Sequence, residues 1–166
     1  SFCVIADVDF KVKRQNKILD AFTLLSDRNC ELHFYGDGPD FQSLRKDALT
    51  IQNVFVHGRK TNDDILELLY KHHVHIQYSI FETFGIATLE ARKSGLWAIS
   101  RRSFGSSEYA DHGVKFAEHD SELLLRMREV LKLSKPGPNE FETLSSDAVG
   151  LQLKNLYYCV SNQQQS

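Results

Sequence analysis

Short apolar runs alternate with longer amphipathic runs along most of this chain of 166 residues. The short runs are rich in Val, Ile, Phe and Tyr, as buried strands are, and occupy 2–8, 31–35, 53–57, 74–79, 96–100 and, as a sixth, 114–117. Apolar residues at helical spacing lie between them, over 16–27, 39–49, 61–69, 84–94 and 120–133. This alternation predicts a Rossmann-like, doubly wound parallel sheet with helices on both faces, a three-layer α/β/α fold.

The length and charge of the chain set limits on its organisation and partners. We expect one domain over 1–166, with a linker at about 134–140 leading to a last helix that carries Leu144 and Leu153. The formal net charge is −2, which argues against a nucleic-acid partner. Neither a membrane-spanning run nor a secretory signal is visible. Cys3, Cys30 and Cys159 lack the spacing of a disulfide framework or a zinc site, which favours a reducing cytoplasm.

The predicted topology directs attention to two loops. In the strand order 3-2-1-4-5-6, ligands bind where strands 1 and 4 separate, beyond their carboxyl ends. The loop after strand 1 is cationic, with Lys11, Lys13 and Arg14. The loop after strand 4 leads into a helix at Gly85, where free N–H groups and the helix dipole favour an anion. Together the two loops predict a phosphate or diphosphate ligand.

Two carboxylates near the second loop point to a further part of the ligand. Glu82 precedes the predicted helix and Glu90 lies inside it. A carboxylate beside a phosphate is repulsive unless it binds other groups, and sugar hydroxyls are suitable donors to it. A nucleotide sugar carries hydroxyls on both sides of its diphosphate, and it therefore matches this layout.

At these residues the sequence resembles the retaining glycosyltransferases of the GT4 family, which have the two-domain GT-B architecture. The core of the resemblance is the run from Ser79 to Ala91, which holds Glu82, Phe84-Gly85 and Leu89-Glu90-Ala91 in the family's order. Supporting matches are Lys13 to Phe22, Phe34 to Pro39, Val54 to Gly58, and the turn from Gly105 to Glu108.

The resemblance implies a role for each matching residue. Glu82 would be the catalytic position, holding a hydroxyl of the donor sugar, and Glu90 would hold the ribose. Lys13 would neutralise the diphosphate, while Thr83, Phe84 and Gly85 would cradle the sugar or phosphate. Candidate further contacts to phosphate or base are Arg14, Gly58, Arg59 and Ser79.

The resemblance also implies what lies around the site. The donor would be a UDP- or GDP-hexose, with no separate cofactor and no required metal. The acceptor, a sugar, lipid or protein, would be held by an N-terminal domain absent from this chain. This chain alone would therefore be inactive as a transferase. We expect a cytoplasmic location, with membrane association through the absent domain as an open alternative.

The sequence departs from the family after strand 1, and two alternatives stay open because of it. Ala6-Asp7-Val8 stands where the family usually has Gly-Arg, so an arginine for the diphosphate is missing and Arg14 or Arg101 would have to replace it. A catalytically degenerate partner subunit that stabilises an active transferase is one alternative. A nucleotide-sugar epimerase of similar architecture is the other.

Two further patterns receive a structural interpretation. Gly36 to Pro39 resembles a phosphate loop, but a strand-to-helix turn is the preferred interpretation. His72, His73 and His75 stand at a helix–strand junction, where they do not share a face, so we predict no metal site there.

Overall fold

The computed structural model of the protein describes residues 1–25, 29–82, 85–102 and 113–136. In these ranges the strands are β1 (Phe2–Ile5), β2 (Leu32–Tyr35), β3 (Val54–His57), β4 (Val74–Gln77), β5 (Trp97–Ser100) and β6 (Val114–Phe116). The helices in the same ranges are α1 (Gln15–Thr23), α2 (Phe41–Ala48), α3 (Asn62–Lys71), α4 (Ile86–Lys93) and α5 (Asp120–Val130).

The six strands form one parallel sheet in the order β3-β2-β1-β4-β5-β6. Phe2 at the start of β1 is in register with Leu32 of β2 on one side and with Val74 of β4 on the other. The predicted fold and strand order are therefore confirmed. The connections diverge between β1 and β4, so the sheet has its topological switch point there.

Alternate residues of β1 bury their side chains in different core clusters, two of the three that the described residues form. Phe2 and Val4 of β1 belong to the larger cluster, which also takes apolar residues from α1, α2 and α5. Cys3 points to the opposite face and packs in a second cluster with Leu69 of α3 and Ala91 of α4. Helices thus cover both faces of the sheet, as the near-continuous apolar character of the strands predicts.

Several element boundaries differ from the predicted ones. The helix expected over 16–27 ends at Thr23, where the Leu24 and Leu25 N–H groups close short turns onto carbonyls three residues back. Pro39 lies in the turn before α2, with Asp40 as the N-cap, and not in the first helical turn. The last predicted helix and the turn from Gly105 to Glu108 lie outside the described residues, and so does the linker beyond residue 136.

Local hydrogen bonds close the start of α3 and the end of α4. Thr61 caps α3, because its side chain accepts from the Asp64 N–H while the Asp64 carboxylate accepts from the Thr61 N–H. After α4, Gly95 adopts a φ of 79°, and the Leu96 N–H returns to the Ala91 carbonyl at 3.0 Å.

The turn after β2 is tied closely to the loop after β1. A Cβ on Gly36 would lie 1.9 Å from the Ala6 carbonyl oxygen, so only glycine fits at this approach. The Val8 N–H donates to the Asp37 carbonyl at 3.0 Å, and the Asp40 N–H donates to the Val8 carbonyl at 3.1 Å. The glycine-rich stretch is thus the predicted strand-to-helix turn, and Gly36 also lines the crevice described below.

None of the helices in the described ranges has the length and apolar character needed to cross a bilayer.

Candidate functional site

A crevice of about 340 Å³ opens beyond the carboxyl ends of the central strands. It lies at the switch point, where the topology rule places a ligand. Its walls come from the loops after β1, β2, β3 and β4 and from the first turns of α3 and α4. The lining residues are Ile5, Ala6, Asp7, Lys13, Tyr35, Gly36, Arg59, Lys60, Asn62, Ile65, Gln77, Glu82, Gly85, Ile86 and Ala87.

Lys13 and Glu82, which are far apart in sequence, meet in this crevice. The Lys13 Nζ lies 2.8 Å from the Glu82 Oε2, and both side chains are mostly buried, with exposed fractions of 24% and 17%. The loop that presents Lys13 is organised by Asp9. The Asp9 carboxylate accepts from the Lys11 and Val12 N–H groups, and its carbonyl accepts from the Lys13 N–H at 2.7 Å.

Gln77, the last residue of β4, extends this contact into a polar network. Its side-chain Nε2 donates to the same Glu82 oxygen, Oε2, that binds Lys13. Its Oε1 accepts from the hydroxyl of Thr88, a side chain only 1% exposed on α4. The loops after β1 and β4 are therefore joined through one carboxylate.

The amino terminus of α4 opens onto the crevice. Gly85 is the N-cap, with φ 66° and ψ 44°, and no side chain within the described residues caps the helix. Ile86 and Ala87, its first two residues, line the crevice. Free N–H groups and the positive end of the helix dipole favour an anion at such a terminus. Thr83 and Phe84, the other predicted residues of this loop, lie outside the described residues.

Glu90 is half-buried inside α4 and is not among the residues that line the crevice. Burial raises the pKa of its carboxyl, and nearby Lys93 opposes that shift. Among the described residues its carboxylate has no hydrogen-bond partner. The side chain therefore carries an acceptor group that the described part of the protein does not use.

Arg14 does not line the crevice, although it is adjacent to Lys13. Its guanidinium donates to both Asp120 oxygens, at 2.9 and 3.2 Å, and lies over the Tyr78 ring at 4.9 Å. The Tyr78 hydroxyl donates to the same carboxylate at 2.9 Å, and burial together with this bond raises the pKa of Tyr78 to about 12. These contacts hold Arg14 at the junction of α1, β4 and α5, outside the lining of the crevice.

The remaining candidate residues divide between crevice and surroundings. Arg59 lines the crevice and pairs with Asp7 at 3.2 Å, with both side chains 72% exposed. Gly58 and Ser79 are not among the lining residues. Gly58 is exposed, and Ser79 is buried two residues after β4. Arg101 is also outside the lining, and its N–H donates to the Gln77 carbonyl.

Several lining residues were not predicted from the sequence. Lys60 reaches the crevice from the loop after β3 and Asn62 from the start of α3, and Tyr35 and Gln77 are the last residues of their strands. The topology could have identified these residues, because the carboxyl ends of parallel strands lie along the same edge of a sheet. Within the described residues, no group of three or more His, Cys, Asp or Glu side chains is arranged to hold a metal ion.

The fold matches one Rossmann-like half of the GT-B architecture. The sequence profile of the family described as "Glycosyl transferases group 1" matches residues 2–140. The chain therefore belongs to the group 1 glycosyl transferases.

Two curated relatives and one solved structure illustrate the likeness. The gpi3 subunit of phosphatidylinositol N-acetylglucosaminyltransferase from Schizosaccharomyces pombe is 26% identical over 117 residues, 64% of this chain and 26% of its own length. N-acetyl-alpha-D-glucosaminyl L-malate synthase from Bacillus anthracis is 30% identical over 108 residues, 62% of this chain and 28% of its own. Anabaena Alr3699/HepE, solved in complex with UDP and glucose, has a TM-score of 0.75 at 16% identity, covering 95% of this chain and 47% of that one. The chain thus spans about a quarter of these curated relatives and about half of HepE.

Proposed function

We propose that this chain is the donor-binding half of a retaining glycosyltransferase and that its crevice takes a nucleotide-diphosphate sugar. The observation that carries the proposal is the meeting of Lys13 and Glu82 at 2.8 Å beside the amino terminus of α4. One group can compensate a phosphate and the other can accept hydroxyl protons. In a nucleotide sugar the distal phosphate is bonded directly to the sugar, so neighbouring phosphate and hydroxyl sites suit this ligand.

In this proposal, positive charge for the diphosphate comes from several directions. Lys13 approaches from the loop after β1, and Arg59 and Lys60 approach from the loop after β3. The N–H groups at Gly85 and in the first turn of α4 add the helix dipole. Charge supplied in this way lets the site act without a metal. We leave Arg14 out of the proposed diphosphate site because Asp120 engages it.

The proposed role of Glu82 is to orient the donor sugar. An oriented sugar presents its anomeric carbon to the acceptor, and orientation of this kind contributes to turnover without a covalent step. Glu90 is proposed to bind the ribose hydroxyls, since its half-buried carboxylate has no partner in the described residues. The acceptor is proposed to bind an N-terminal domain outside this chain, in line with the coverage of only 47% of HepE. We further propose a cytoplasmic location, supported by the buried Cys3, which forms no disulfide within the described residues.

Calorimetry with free UDP and GDP and with their hexose-linked forms tests the proposal. We expect weak binding of at least one pair and no sugar transfer by this chain alone. Glu82→Gln should weaken the binding of the sugar-linked nucleotide only, and Glu90→Gln should weaken the binding of both forms alike. Each loss should be about 1–2 kcal/mol, because glutamine still accepts a hydrogen bond. If Glu82→Gln weakens free nucleotide as much as the sugar-linked form, the donor is oriented differently. Robust transfer by the isolated chain would overturn the assignment as a half-enzyme.

A second candidate function, a partner subunit that no longer binds donor, is favoured by Asp7. This residue stands where the family usually has the diphosphate arginine, and it is one of the residues that line the crevice. A negative charge there opposes a diphosphate unless Arg59 compensates it. One curated relative is itself named as a subunit. Absence of binding to every nucleotide and nucleotide sugar in the calorimetry would favour this candidate, whereas family membership disfavours the epimerase.

A further inference from the structure

Gln77 occupies an unusual position for a polar side chain. It ends β4, a strand whose residues Val74 and Ile76 are buried in the larger core cluster. Its own side chain is half-buried and lies between the crevice and α4. A polar group at such a place requires hydrogen-bond partners, and here both ends of the amide have one.

The chemistry of the neighbours fixes the orientation of the Gln77 amide. An ionised carboxylate only accepts hydrogen bonds, so the group that faces Glu82 must be the donating Nε2. The opposite end, Oε1, then faces Thr88, whose hydroxyl can donate to it. The reversed amide would set its oxygen against the Glu82 carboxylate. Glu82 thus sets the orientation of the amide, and the Thr88 hydroxyl, which can donate or accept, stabilises it by donating to Oε1.

Lys13 and Gln77 both bind Oε2 of Glu82, and this shared choice leaves the other oxygen available. Among the described residues Oε1 of Glu82 has no hydrogen-bond partner. The two donors differ in what a diphosphate would do to them. A diphosphate competes with Glu82 for the positively charged Lys13, whereas the neutral amide of Gln77 attracts the diphosphate only weakly. Gln77 can therefore keep Glu82 in place after Lys13 has turned toward a phosphate.

We propose that Gln77 is a positioning residue that holds the Glu82 carboxylate with Oε1 directed to the donor sugar, an inference that rests on the proposed function. Gln77 acts through Glu82, and Thr88 acts through Gln77. A residue of this kind contributes to the binding of the sugar and not to the binding of the nucleotide.

The binding test compares Gln77→Leu with Gln42→Leu, the same substitution at an exposed position of α2. Gln77→Leu should lower the affinity for the sugar-linked nucleotide by about fivefold to tenfold, the effect of one lost hydrogen bond, and leave free nucleotide within about twofold. Thr88→Val should act in the same direction, and Thr88→Ser, which retains the hydroxyl, should restore binding. Gln42→Leu should change neither affinity.

A double-mutant cycle and a spectroscopic measurement make the test independent of simple structural damage. In a Glu82→Ala background, Gln77→Leu should cost nothing further. In NMR spectra without any ligand, the side-chain amide resonances of Gln77 should move in Glu82→Ala and in Thr88→Val, while those of Gln42 stay unchanged.

The outcomes separate this inference from the proposed function. If Glu82→Gln reduces sugar-linked binding and Gln77→Leu does not, the positioning role is overturned and the donor site stands. A Gln77→Leu effect that persists in the Glu82→Ala background, or that is equal for free nucleotide, also overturns the positioning role. If neither residue distinguishes sugar-linked from free nucleotide, the proposed function fails and the inference fails with it.

Discussion

His75 makes the stability of this protein sensitive to moderate acid. It lies in β4 between Cys3 of β1 and Ala98 of β5 and is fully buried. Burial disfavours the charged imidazolium and lowers the pKa of His75 from 6.5 to about 4, against a smaller opposing effect of the Cys3 backbone. In the unfolded chain the same side chain is in water and keeps its ordinary pKa.

The direction and size of the effect follow from linkage. Between pH 6.5 and about 4 the unfolded chain binds a proton that the folded protein does not, so stability falls as the pH falls. The contribution of His75 is fully present above pH 6.5 and is lost progressively below it. Each pH unit in this window corresponds to about 1.4 kcal/mol, so the change from pH 7.5 to pH 5 costs ~2 kcal/mol from this residue.

Urea unfolding of the protein and of His75→Leu at the two pH values measures this difference. We expect the acid-induced loss of unfolding free energy to be ~2 kcal/mol smaller in His75→Leu than in the unsubstituted protein. Other titratable groups, including the buried His72, contribute equally to the pH dependence of both proteins, so their contributions cancel in the difference. His119→Gln, at an exposed position before α5, is the matched control and should keep the full loss. Equal losses in all three proteins would refute the assignment to His75.

Two further predictions concern the cationic loop after β1. Lys13→Ala should weaken the binding of UDP by roughly 1.5–3 kcal/mol and the binding of uridine hardly at all, as measured by calorimetry. Equal losses for the two ligands would mean that Lys13 does not bind the phosphates. Asp120→Asn deprives Arg14 of its charged partner and should lower the free energy of unfolding by about 0.5–1 kcal/mol, a value reduced for the partial exposure of the pair. Asp20→Asn, at a more exposed carboxylate, should lower the free energy of unfolding less. If the two variants lose the same free energy of unfolding, the ion pair of Arg14 with Asp120 has no stabilising role.

The fold was predictable because its signal is periodic and repeated. Alternating strand and helix patterns led to a parallel sheet, and the strand order placed the crevice between the loops that contain Lys13 and Glu82. Boundaries were less predictable, since they depend on single turns. Leu24 and Leu25 continue the apolar pattern of α1, yet the helix ends at Thr23.

The side-chain partners in the site were the least predictable feature. Arg14 has the charge of a phosphate ligand and follows Lys13 directly, but its partner Asp120 lies 106 positions further along the chain. No local pattern marks such a pair. Gln77 was overlooked for a related reason, because in sequence it belongs to an apolar strand and only the tertiary structure brings it against Glu82.

The contacts of Arg14 give its loop a function in placing Lys13. Arg14 adopts a left-handed conformation, with φ 56°, which costs an ordinary side chain roughly 1–2 kcal/mol. Its bonds to Asp120 and its packing on Tyr78 offset that cost, and they orient the two neighbouring side chains in different directions. Arg14 points to α5 while Lys13 points into the crevice and reaches Glu82. The family's usual arginine after the first strand is absent, so among the described residues Lys13 is the one cation that the loop after β1 brings to the proposed diphosphate site.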